Sequence, residues 1–231
     1  MSSTEHKRKA VVVGLGGHCN AIIAMVESTG LYCVEGLIDT ANTADLNESK
    51  LGYPVKGTLQ ELLSNGSQDF DGVVFVAIGD NQERAQVFQK LLNAGYELPD
   101  LVSSTAVVHH SVTSGGGNVI GHFCLLNAGA KIGSNNILNS RSTLEHDVRV
   151  GSHCHVAPGV TLCGKVTVAD HCFIGAGAVV VPNINIPEHT TLGAGGVMVQ
   201  QSIIPNQTYV GVPATMLKQD KTGFGEAEKG S

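Results

Sequence analysis

Three histidines and two carboxylates lie within residues 144–159, which read LEHDVRVGSHCHVAPG. Imidazole is the side chain best suited to exchange a proton near neutral pH, and a neighbouring carboxylate can orient it. Histidine is also the commonest metal ligand. The segment therefore allows an acid/base site, a metal site or a run of turn residues, and the period in which these residues recur helps to choose among them.

A six-residue period runs through the second half of the chain. Seventeen of its eighteen positions are aliphatic, Ser114 being the exception: Val108, Ile120, Leu126, Ile132, Leu138, Leu144, Val150, Val156, Leu162, Val168, Ile174, Val180, Ile186, Leu192, Met198, Ile204 and Val210. The residue four places later is mostly small or β-branched, as at Ala130, Ser142, Cys154, Cys172, Ala178 and Ser202. This repeat is typical of a parallel β-helix with three hexapeptides per triangular coil. We expect the aliphatic residues to point inward with no slip in phase, at strand spacing of about 4.8 Å per coil.

This period also places the histidines. His153, His171 and His189 are each eighteen residues apart, so they occupy one corner on successive coils. The same place in the repeat elsewhere holds Asn135, Asp147, Gly159, Gly177, Asn183 and Gly195. These residue types tolerate positive φ, which favours turn geometry over a metal site. A metal-dependent hydratase that uses the histidine column is kept as the alternative.

The first half of the chain alternates strand and helix patterns. Apolar runs at 9–13, 34–38 and 72–78 predict buried parallel strands. Helical spacing over 18–28 and 81–93 predicts two helices whose apolar faces hold Ala21, Ile22, Met25 and Val26, and Ala85, Phe88, Leu91 and Leu92. We expect a Rossmann-like α/β domain over 1–104, a β-helix over 105–217 and a disordered tail over 218–231.

A glycine-rich turn follows the first strand. Residues 14–19 read GLGGHC, a near miss to G-x-G-x-x-G because Cys19 replaces the third glycine. Such a turn at a helix N-terminus suits a phosphate group, and Asp39 at the end of the second strand could accept from a ribose hydroxyl or a base. Nothing downstream supplies a nicotinamide pocket, because the chain passes directly into the β-helix.

Bulk composition narrows the partners and the compartment. The net charge is −6 and the only basic cluster is at residues 6–9, which argues against nucleic acid. No apolar run approaches the roughly 20 residues of a membrane span, and residues 1–9 lack a signal-peptide core, so we expect a cytoplasmic protein. The six cysteines show no CxxC spacing and predict reduced structural thiols.

The chain resembles a known family along nearly its whole length. The resemblance is carried by residues 138–164 (LNSRSTLEHDVRVGSHCHVAPGVTLCG), the GLGGH start, Ile38-Asp39, residues 77–81 and the ending VGVPA at 210–214. These are the marks of the PglD/NeuD-like hexapeptide-repeat sugar acetyltransferases. The resemblance implies a left-handed β-helix, acetyl-CoA as co-substrate, no metal and a homotrimer with acetyl-CoA in grooves between subunits.

It also implies roles for residues around the histidines. His146 matches the general base and Asp147 the acidic neighbour that orients it, although Asp is a methylene shorter than the Glu that also occurs there. His155 matches the residue that binds the acetyl carbonyl, and Asn139 the one that contacts the acceptor sugar. Gly164 belongs to the acetyl-CoA site through its backbone. Glycines 159, 177 and 195 would leave a bare corner for the pantetheine arm, and turn geometry alone is the alternative explanation for them.

In the N-terminal half the resemblance implies binding of a nucleotide-linked sugar. The residues assigned to this substrate are Gly14, Gly17, His18, Asp39, Gly79 and Asn81. For the turn at 79–81, a plain strand-to-helix connection with Asn81 as the helix cap is the alternative.

The function predicted by the resemblance is N-acetylation of the 4-amino group of a nucleotide-linked 4-amino-4,6-dideoxy sugar by direct transfer, with no covalent acyl-enzyme. The alternatives are a sialic-acid-type sugar O-acetyltransferase and a non-catalytic nucleotide-sensing scaffold. The sequence does not discriminate UDP, GDP and dTDP.

Overall fold

The computed structural model describes residues 7–41, 45–68, 70–201 and 203–217. The segment predicted as a disordered tail, 218–231, lies outside the described residues, as does Ser202. Within these ranges the elements of the N-terminal half are β1 (Arg8–Val13), α1 (Gly17–Thr29), β2 (Tyr32–Asp39), β3 (Ser49–Lys50), β4 (Tyr53–Thr58), α2 (Leu59–Asn65), β5 (Val73–Val76) and α3 (Asn81–Asn93).

The N-terminal half is an α/β sandwich around one sheet. The sheet order is β3-β4-β2-β1-β5, and all pairs are parallel except β3–β4. Residues 10–13 of β1 and all of β5 are buried because the sheet has apolar layers on both faces. The predicted parallel α/β domain is confirmed.

Two details of that half were predicted wrongly or missed. The predicted apolar faces are largely confirmed, but Ala21 and Leu92 are exposed, whereas Ile23 and Val87 are buried. β3, β4 and α2 were not predicted. A readable signal for α2 existed, because Thr58 and Glu61 form a capping box in which each side chain accepts from the other's backbone N–H.

The second half is a triangular prism of short strands. In chain order they are β6 (Leu101–Val102), β7 (Val107–Val108), β8 (Thr113–Ser114), β9 (Val119–Ile120), β10 (Leu125–Leu126), β11 (Lys131–Ile132), β12 (Ile137–Leu138), β13 (Thr143–Leu144), β14 (Arg149–Val150), β15 (His155–Val156), β16 (Thr161–Leu162), β17 (Thr167–Val168), β18 (Phe173–Ile174), β19 (Val179–Val180), β20 (Asn185–Ile186), β21 (Thr191–Leu192), β22 (Val197–Met198), β23 (Thr208–Val210) and β24 (Thr215–Met216). The left-handed β-helix predicted from the repeat and the resemblance is confirmed.

Three parallel sheets form the sides of this prism, and we number them as faces. Face 1 runs from β6 through β9, β12, β15, β18 and β21 to β23, with β24 added antiparallel; face 2 contains β7 to β22 and face 3 contains β8 to β20. Strands eighteen residues apart pair in register, as Leu126 does with Leu144. Their aliphatic residues fill the interior, and Leu126, Leu138, Leu144, Leu162 and Ile174 are fully buried. Aliphatic rungs fill this narrow core without large aromatic side chains.

The predicted phase fails at both ends. In the first coil Val108 is 39% exposed, because no coil covers it from below, and Ser114 is exposed. At the other end Leu192 pairs with Tyr209, seventeen residues away, so the phase slips by one residue. Tyr209 is therefore the buried residue, and Ile204 is 54% exposed.

Corners of the prism turn on residues with positive φ. The glycine corner joins faces 1 and 2 and holds Phe123, Arg141, Gly159, Gly177 and Gly195. The Asp147 corner joins faces 2 and 3 and holds Gly129, Asp147, Lys165 and Asn183. The histidine corner joins faces 3 and 1 and holds Gly117, Asn135, His153, His171 and His189. The turn interpretation of the histidine column is thus confirmed, with φ between 54° and 61° at its three histidines.

Among the helices within the described ranges, none is long and apolar enough to cross a bilayer. The six cysteines are all free thiols, and Cys154 and Cys172 are fully buried.

Candidate active site

A histidine–aspartate pair stands on the Asp147 corner. His146 Nδ1 lies 3.0 Å from Asp147 Oδ2, so the shorter acidic side chain does reach the ring. The hydrogen bond to His146 lowers the pKa of Asp147, with smaller contributions from His146, Lys165 and Arg149 charges. Because the carboxylate accepts from Nδ1–H, this contact favours the tautomer whose Nε2 carries a free lone pair. Both side chains are 58% exposed.

Gly164 supports the His146 ring from the next coil. The two residues are eighteen positions apart, and the Lys165 N–H donates to the His146 carbonyl at 3.0 Å. A Cβ at position 164 would come within 2.7 Å of His146 Cε1, which is far inside van der Waals contact. The ring therefore lies directly over the bare Cα of this glycine.

His155 belongs to a second group of residues, on the outer side of face 1. Its Nε2 lies 3.5 Å from Asn139 Nδ2, and the Asn139 orientation is set because Oδ1 accepts from Ser140 N–H at 2.8 Å. The His155 and His18 rings are 6.5 Å apart between centroids. Burial, followed by the nearby Arg84 charge and His18, lowers the pKa of His155 to about 4, so the ring is neutral at pH 7.

His18 lies in the first turn of α1, at the edge of a cleft. The cleft has a volume of about 310 Å³, and Gly14, Gly16, Gly17 and Gly79 line it together with His18. Burial and then the Arg84 charge lower the pKa of His18 to about 4. Its Nε2 is buried without a hydrogen-bond partner among the described residues. The cleft and the face-1 group thus adjoin each other in one chain.

Glycines of the cleft leave room for a ligand. Gly14 has φ of 110°, and a Cβ there would meet the Ala77 carbonyl at 3.0 Å, so the backbone itself requires glycine. In contrast, Gly16, Gly17 and Gly79 have ordinary φ, and a Cβ on any of them would meet no protein atom within 4 Å. Their missing side chains keep the N-terminus of α1 open, where free N–H groups suit a phosphate.

Two predicted substrate residues are placed differently from the rest. Asp39 ends β2 and its Oδ1 accepts from Ala41 N–H at 3.0 Å; the following residue, Thr40, lines the cleft instead. Asn81 does not line the cleft, because its amide donates to the Cys172 carbonyl at 3.0 Å.

The alternative that made Asn81 the cap of α3 is also wrong. The cap is Asp80, whose Oδ1 accepts from the N–H groups of Gln82 and Glu83 at 2.9 and 2.8 Å. Asn81 is instead the first residue of the helix itself.

One buried cation near this site was missed. Arg84 in α3 is 2% exposed and lies close enough to His18 and His155 to lower the pKa of both. Its position four residues before Phe88 and seven before Leu91 places it on the apolar face of the helix. That spacing was the available signal, since an arginine on a buried face needs partners.

The histidine column has the geometry of a stack. Ring centroids are 4.9 Å apart for His153–His171 and 4.8 Å for His171–His189, and the latter rings are 2° from parallel. Parallel stacked rings direct their nitrogen lone pairs side by side rather than toward one point. In the described ranges, no group of three or more His, Cys, Asp or Glu side chains is arranged to hold a metal ion.

The two groups of candidate residues do not meet within one chain. His146 and Gly164 lie at the corner between faces 2 and 3, whereas His155 and Asn139 lie on or beside face 1. In a three-sided prism that corner is opposite face 1. A single site that uses both histidines therefore needs the corner of one copy to approach face 1 of another.

Two family models match the chain. Residues 9–91 match the PglD N-terminal domain, and residues 129–164 match six repeats of the bacterial transferase hexapeptide. Among the curated proteins, none matches the chain.

Several solved structures are similar along most of the chain. A mutant of perosamine N-acetyltransferase from Caulobacter crescentus, in complex with CoA and GDP-perosamine, is 33% identical with a TM-score of 0.83, covering 91% of this chain and 97% of that one. The acetyltransferase domain of PglB from Neisseria gonorrhoeae FA1090, in complex with acetyl coenzyme A, is 29% identical with a TM-score of 0.82, covering 91% and 100%. WeeI from Acinetobacter baumannii AYE is 22% identical with a TM-score of 0.66 over 90% and 99%, which is a likeness of fold. The first two matches extend across both the α/β half and the β-helix.

Proposed function

Because the chain belongs to the PglD-like hexapeptide-repeat sugar acetyltransferases and is an acetyl-CoA-dependent sugar N-acetyltransferase, we propose that it acetylates the 4-amino group of a nucleotide-linked 4-amino-4,6-dideoxy sugar. The perosamine enzyme, crystallised with GDP-perosamine, supports a nucleotide-linked amino sugar as the acceptor.

One observation carries the mechanistic part of the proposal. His146 is held on one side by Asp147 and from beneath by the bare Cα of Gly164, while its side chain is 58% exposed. An exposed histidine on a turn is ordinarily free to rotate. Holding the ring in this way fixes both tautomer and direction, which is what a general base requires.

His146 Nε2 takes a proton from the amine as the amine nitrogen attacks the thioester carbonyl carbon. The new C–N bond forms as the carbonyl π bond opens, giving a tetrahedral intermediate with a negatively charged oxygen. When the intermediate collapses, the C–S bond breaks and the leaving CoA thiolate receives the proton from the imidazolium. Asp147 stabilises that imidazolium while it exists. No covalent acyl-enzyme forms, so no nucleophilic cysteine is needed.

Neutral His155 is proposed to hold the acetyl carbonyl oxygen, as the resemblance implies. Its pKa of about 4 means that it contacts the carbonyl as an uncharged ring at pH 7. Asn139, 3.5 Å from Nε2, is placed to contact the acceptor sugar beside it.

The cleft at the N-terminus of α1 is proposed to bind the diphosphate group of the nucleotide-linked sugar. Gly14, Gly17, His18 and Gly79 border it, and the unpartnered Nε2 of His18 is one polar atom in need of a ligand or water. Asp39 is retained as the residue for the base.

We propose a homotrimer in which His146 of one copy meets His155 and Asn139 of the next. These residues lie on opposite sides of the prism and therefore do not meet within one chain, which supports this arrangement. The glycine corner is proposed to accept the pantetheine arm of acetyl-CoA. Arg141 adopts the same positive φ as Gly159, so the corner does not require glycine for its turn, and a Cβ on Gly177 or Gly195 would meet nothing within 4 Å.

The direct experiment is acetyl transfer by the purified chain. UDP-, GDP- and dTDP-linked 4-amino-4,6-dideoxyhexoses are offered with acetyl-CoA, release of CoA thiol is followed, and the product is identified by mass spectrometry. His146→Ala is the paired variant. We expect amide product with one nucleotide and a loss of kcat of about 10²- to 10⁴-fold in the variant, with oligomeric state and acetyl-CoA binding unchanged.

Three results would contradict the proposal. Acetylation of only a hydroxyl group, for example on sialic acid, would make the chain an O-acetyltransferase. Nucleotide binding without any transfer would favour a sensing scaffold. Full activity of His146→Ala would remove the general base while leaving the acetyltransferase assignment in place.

A further inference from the structure

Arg84 joins the nucleotide cleft to the β-helix through backbone oxygens. On the cleft side its Nη1 donates to the carbonyls of Ile78 and Gly79 at 3.2 and 3.0 Å, with Asp80 at 3.4 Å. Gly79 and its two neighbours line the cleft and connect β5 to α3. One side of the guanidinium therefore fixes the turn on which the cleft depends.

The other side of the same guanidinium holds two adjacent coils. Nε donates to the Asn135 carbonyl at 3.1 Å, and Nη2 donates to the carbonyls of His153 and Cys154, each at 3.1 Å. Cys154 directly precedes His155 in the chain. Arg84 thus binds the carbonyl group immediately before β15, the strand that carries the proposed acetyl-binding histidine.

Asn81 extends this link by one more coil. Its Oδ1 accepts from Arg84 Nη2 at 2.7 Å, and its Nδ2 donates to the Cys172 carbonyl at 3.0 Å. Together the two side chains connect α3 to three successive coils at the histidine corner. We call Arg84 and Asn81 the interdomain pair.

Burying the charged guanidinium of Arg84 costs desolvation free energy, so its retention needs a reason other than stability. Arg84 is 2% exposed, and its hydrogen bonds within the described residues go to neutral oxygens rather than to a carboxylate. Burial lowers its pKa to about 10, so the side chain stays charged at pH 7. Well-packed apolar residues commonly stabilise a buried contact as well as charged residues do. The planar guanidinium differs in that its N–H groups fix the direction and distance of the oxygen atoms they bind.

We propose that Arg84 is a positioning residue for acetyl transfer: by binding the turn at 78–80 and the carbonyls that lead into His155, it sets the nucleotide-linked sugar at the correct distance from the acetyl group. This inference rests on the proposed function. Arg84 touches no substrate itself, because its N–H groups are engaged by protein oxygens.

The test compares Arg84→Lys and Arg84→Met with Leu91→Ala in the full-length protein. Leu91 is fully buried on the same helix but packs in the core of the α/β half, so its truncation lowers stability without touching the β-helix link. Each variant is assayed well below its Tm, with the nucleotide-linked 4-amino sugar that the wild type accepts and with acetyl-CoA. kcat and both KM values are measured, together with Tm.

We expect kcat at saturating substrates to fall at least 10-fold in both Arg84 variants, with the KM for acetyl-CoA within 2-fold of the wild type. Lysine should not rescue, because one ammonium has three donors and cannot span both sides. Leu91→Ala should keep kcat within 2-fold despite its lower Tm. If both Arg84 variants fail to fold, Asn81→Ala removes the outer part of the link and should lower kcat in the same direction.

Two outcomes overturn the inference separately from the function. The Arg84 variants could retain kcat to the same extent as Leu91→Ala, or lose it only in proportion to the unfolded fraction of the protein. Either result would mean that the Arg84 contacts are structural and do not position substrate. If the KM for acetyl-CoA rises as much as kcat falls, the arginine acts on the coils alone. A wild type that transfers acetyl to no amino sugar rejects the proposed function, and the positioning role with it.

Discussion

Replacing Gly164 with alanine should disable His146 without unfolding the β-helix. The new Cβ would lie 2.7 Å from His146 Cε1. Carbon atoms pack at about 3.5–4.0 Å, so the ring has to withdraw by roughly 1 Å. Gly164 has an ordinary φ, and alanine therefore adds no backbone strain.

The size of the effect follows from that displacement. A misplacement of about 1 Å at a catalytic group can cost on the order of 100-fold in rate, which corresponds to about 2.7 kcal/mol of activation free energy. We expect kcat for Gly164→Ala to fall by roughly 30- to 100-fold. Tm should change little, because the ring it displaces is 58% exposed and outside the core.

A double-mutant cycle provides the matched control. If alanine at 164 acts only through the ring, it should have no further effect on kcat in the His146→Ala background. An equal loss in both backgrounds would show that the methyl group blocks acetyl-CoA rather than the base. A rise in the KM for acetyl-CoA alone, with kcat unchanged, would equally refute the reasoning.

Further predictions concern stability, pH and the co-substrate. Leu162→Ala should lower the free energy of unfolding by about 2–5 kcal/mol, whereas Ile204→Ala should change it by less than about 0.5 kcal/mol; urea denaturation of both variants tests the phase slip. His18 and His155 have folded-state pKa values of about 4, below 6.5, so the unfolded chain binds more protons between these values and stability should fall as pH drops from about 6.5 to 4. The loss should reach at most roughly 3 kcal/mol per imidazole and should shrink in a His18→Asn, His155→Asn double variant; an unchanged pH slope would contradict it. Gly177→Asn keeps a residue type that accepts positive φ, so it should raise the KM for acetyl-CoA several-fold at nearly constant Tm, and an unchanged KM would remove the glycine corner as the pantetheine site.

The β-helix was readable from the sequence because each coil repeats the same physical demand. An inward position between two rungs must be aliphatic, as Leu144 is between Leu126 and Leu162. The slip near the C-terminus was hidden, because Ile204 and Val210 happen to be aliphatic and continue the pattern. Pairing of Tyr209 with Leu192 depends on a loop, and loops do not carry the period.

Local signals sufficed for most of the α/β half but not for its smallest elements. A two-residue strand such as Ser49–Lys50 has no apolar pattern, and its existence depends on the partner strand. Ala21 and Leu92 were predicted on buried faces but are exposed, and the partners of Arg84 were not predicted. The oxygen atoms that receive its hydrogen bonds belong to the backbone, and backbone partners at residues 135, 153 and 154 leave no mark on the sequence.

The candidate site was predicted in its residue types rather than in its distances. Proximity of Asp147 to His146 was open, and the structure places them 3.0 Å apart. Asn81 was assigned to the substrate by the family resemblance, yet its amide donates to the β-helix carbonyl of Cys172. Opposite placement of His146 and His155 follows only from knowing which side of the prism each strand occupies.

The eighteen-residue spacing between His146 and Gly164 restricts how this chain can gain or lose length. An indel of six residues between them would carry the glycine one third of the way around the axis, and an indel of one would have to be absorbed in a corner loop, as the one-residue slip before Tyr209 is. Only whole circuits keep both on one edge, and even one added circuit would part them by a further step of about 4.8 Å. The segment between His146 and Gly164 is therefore fixed in length.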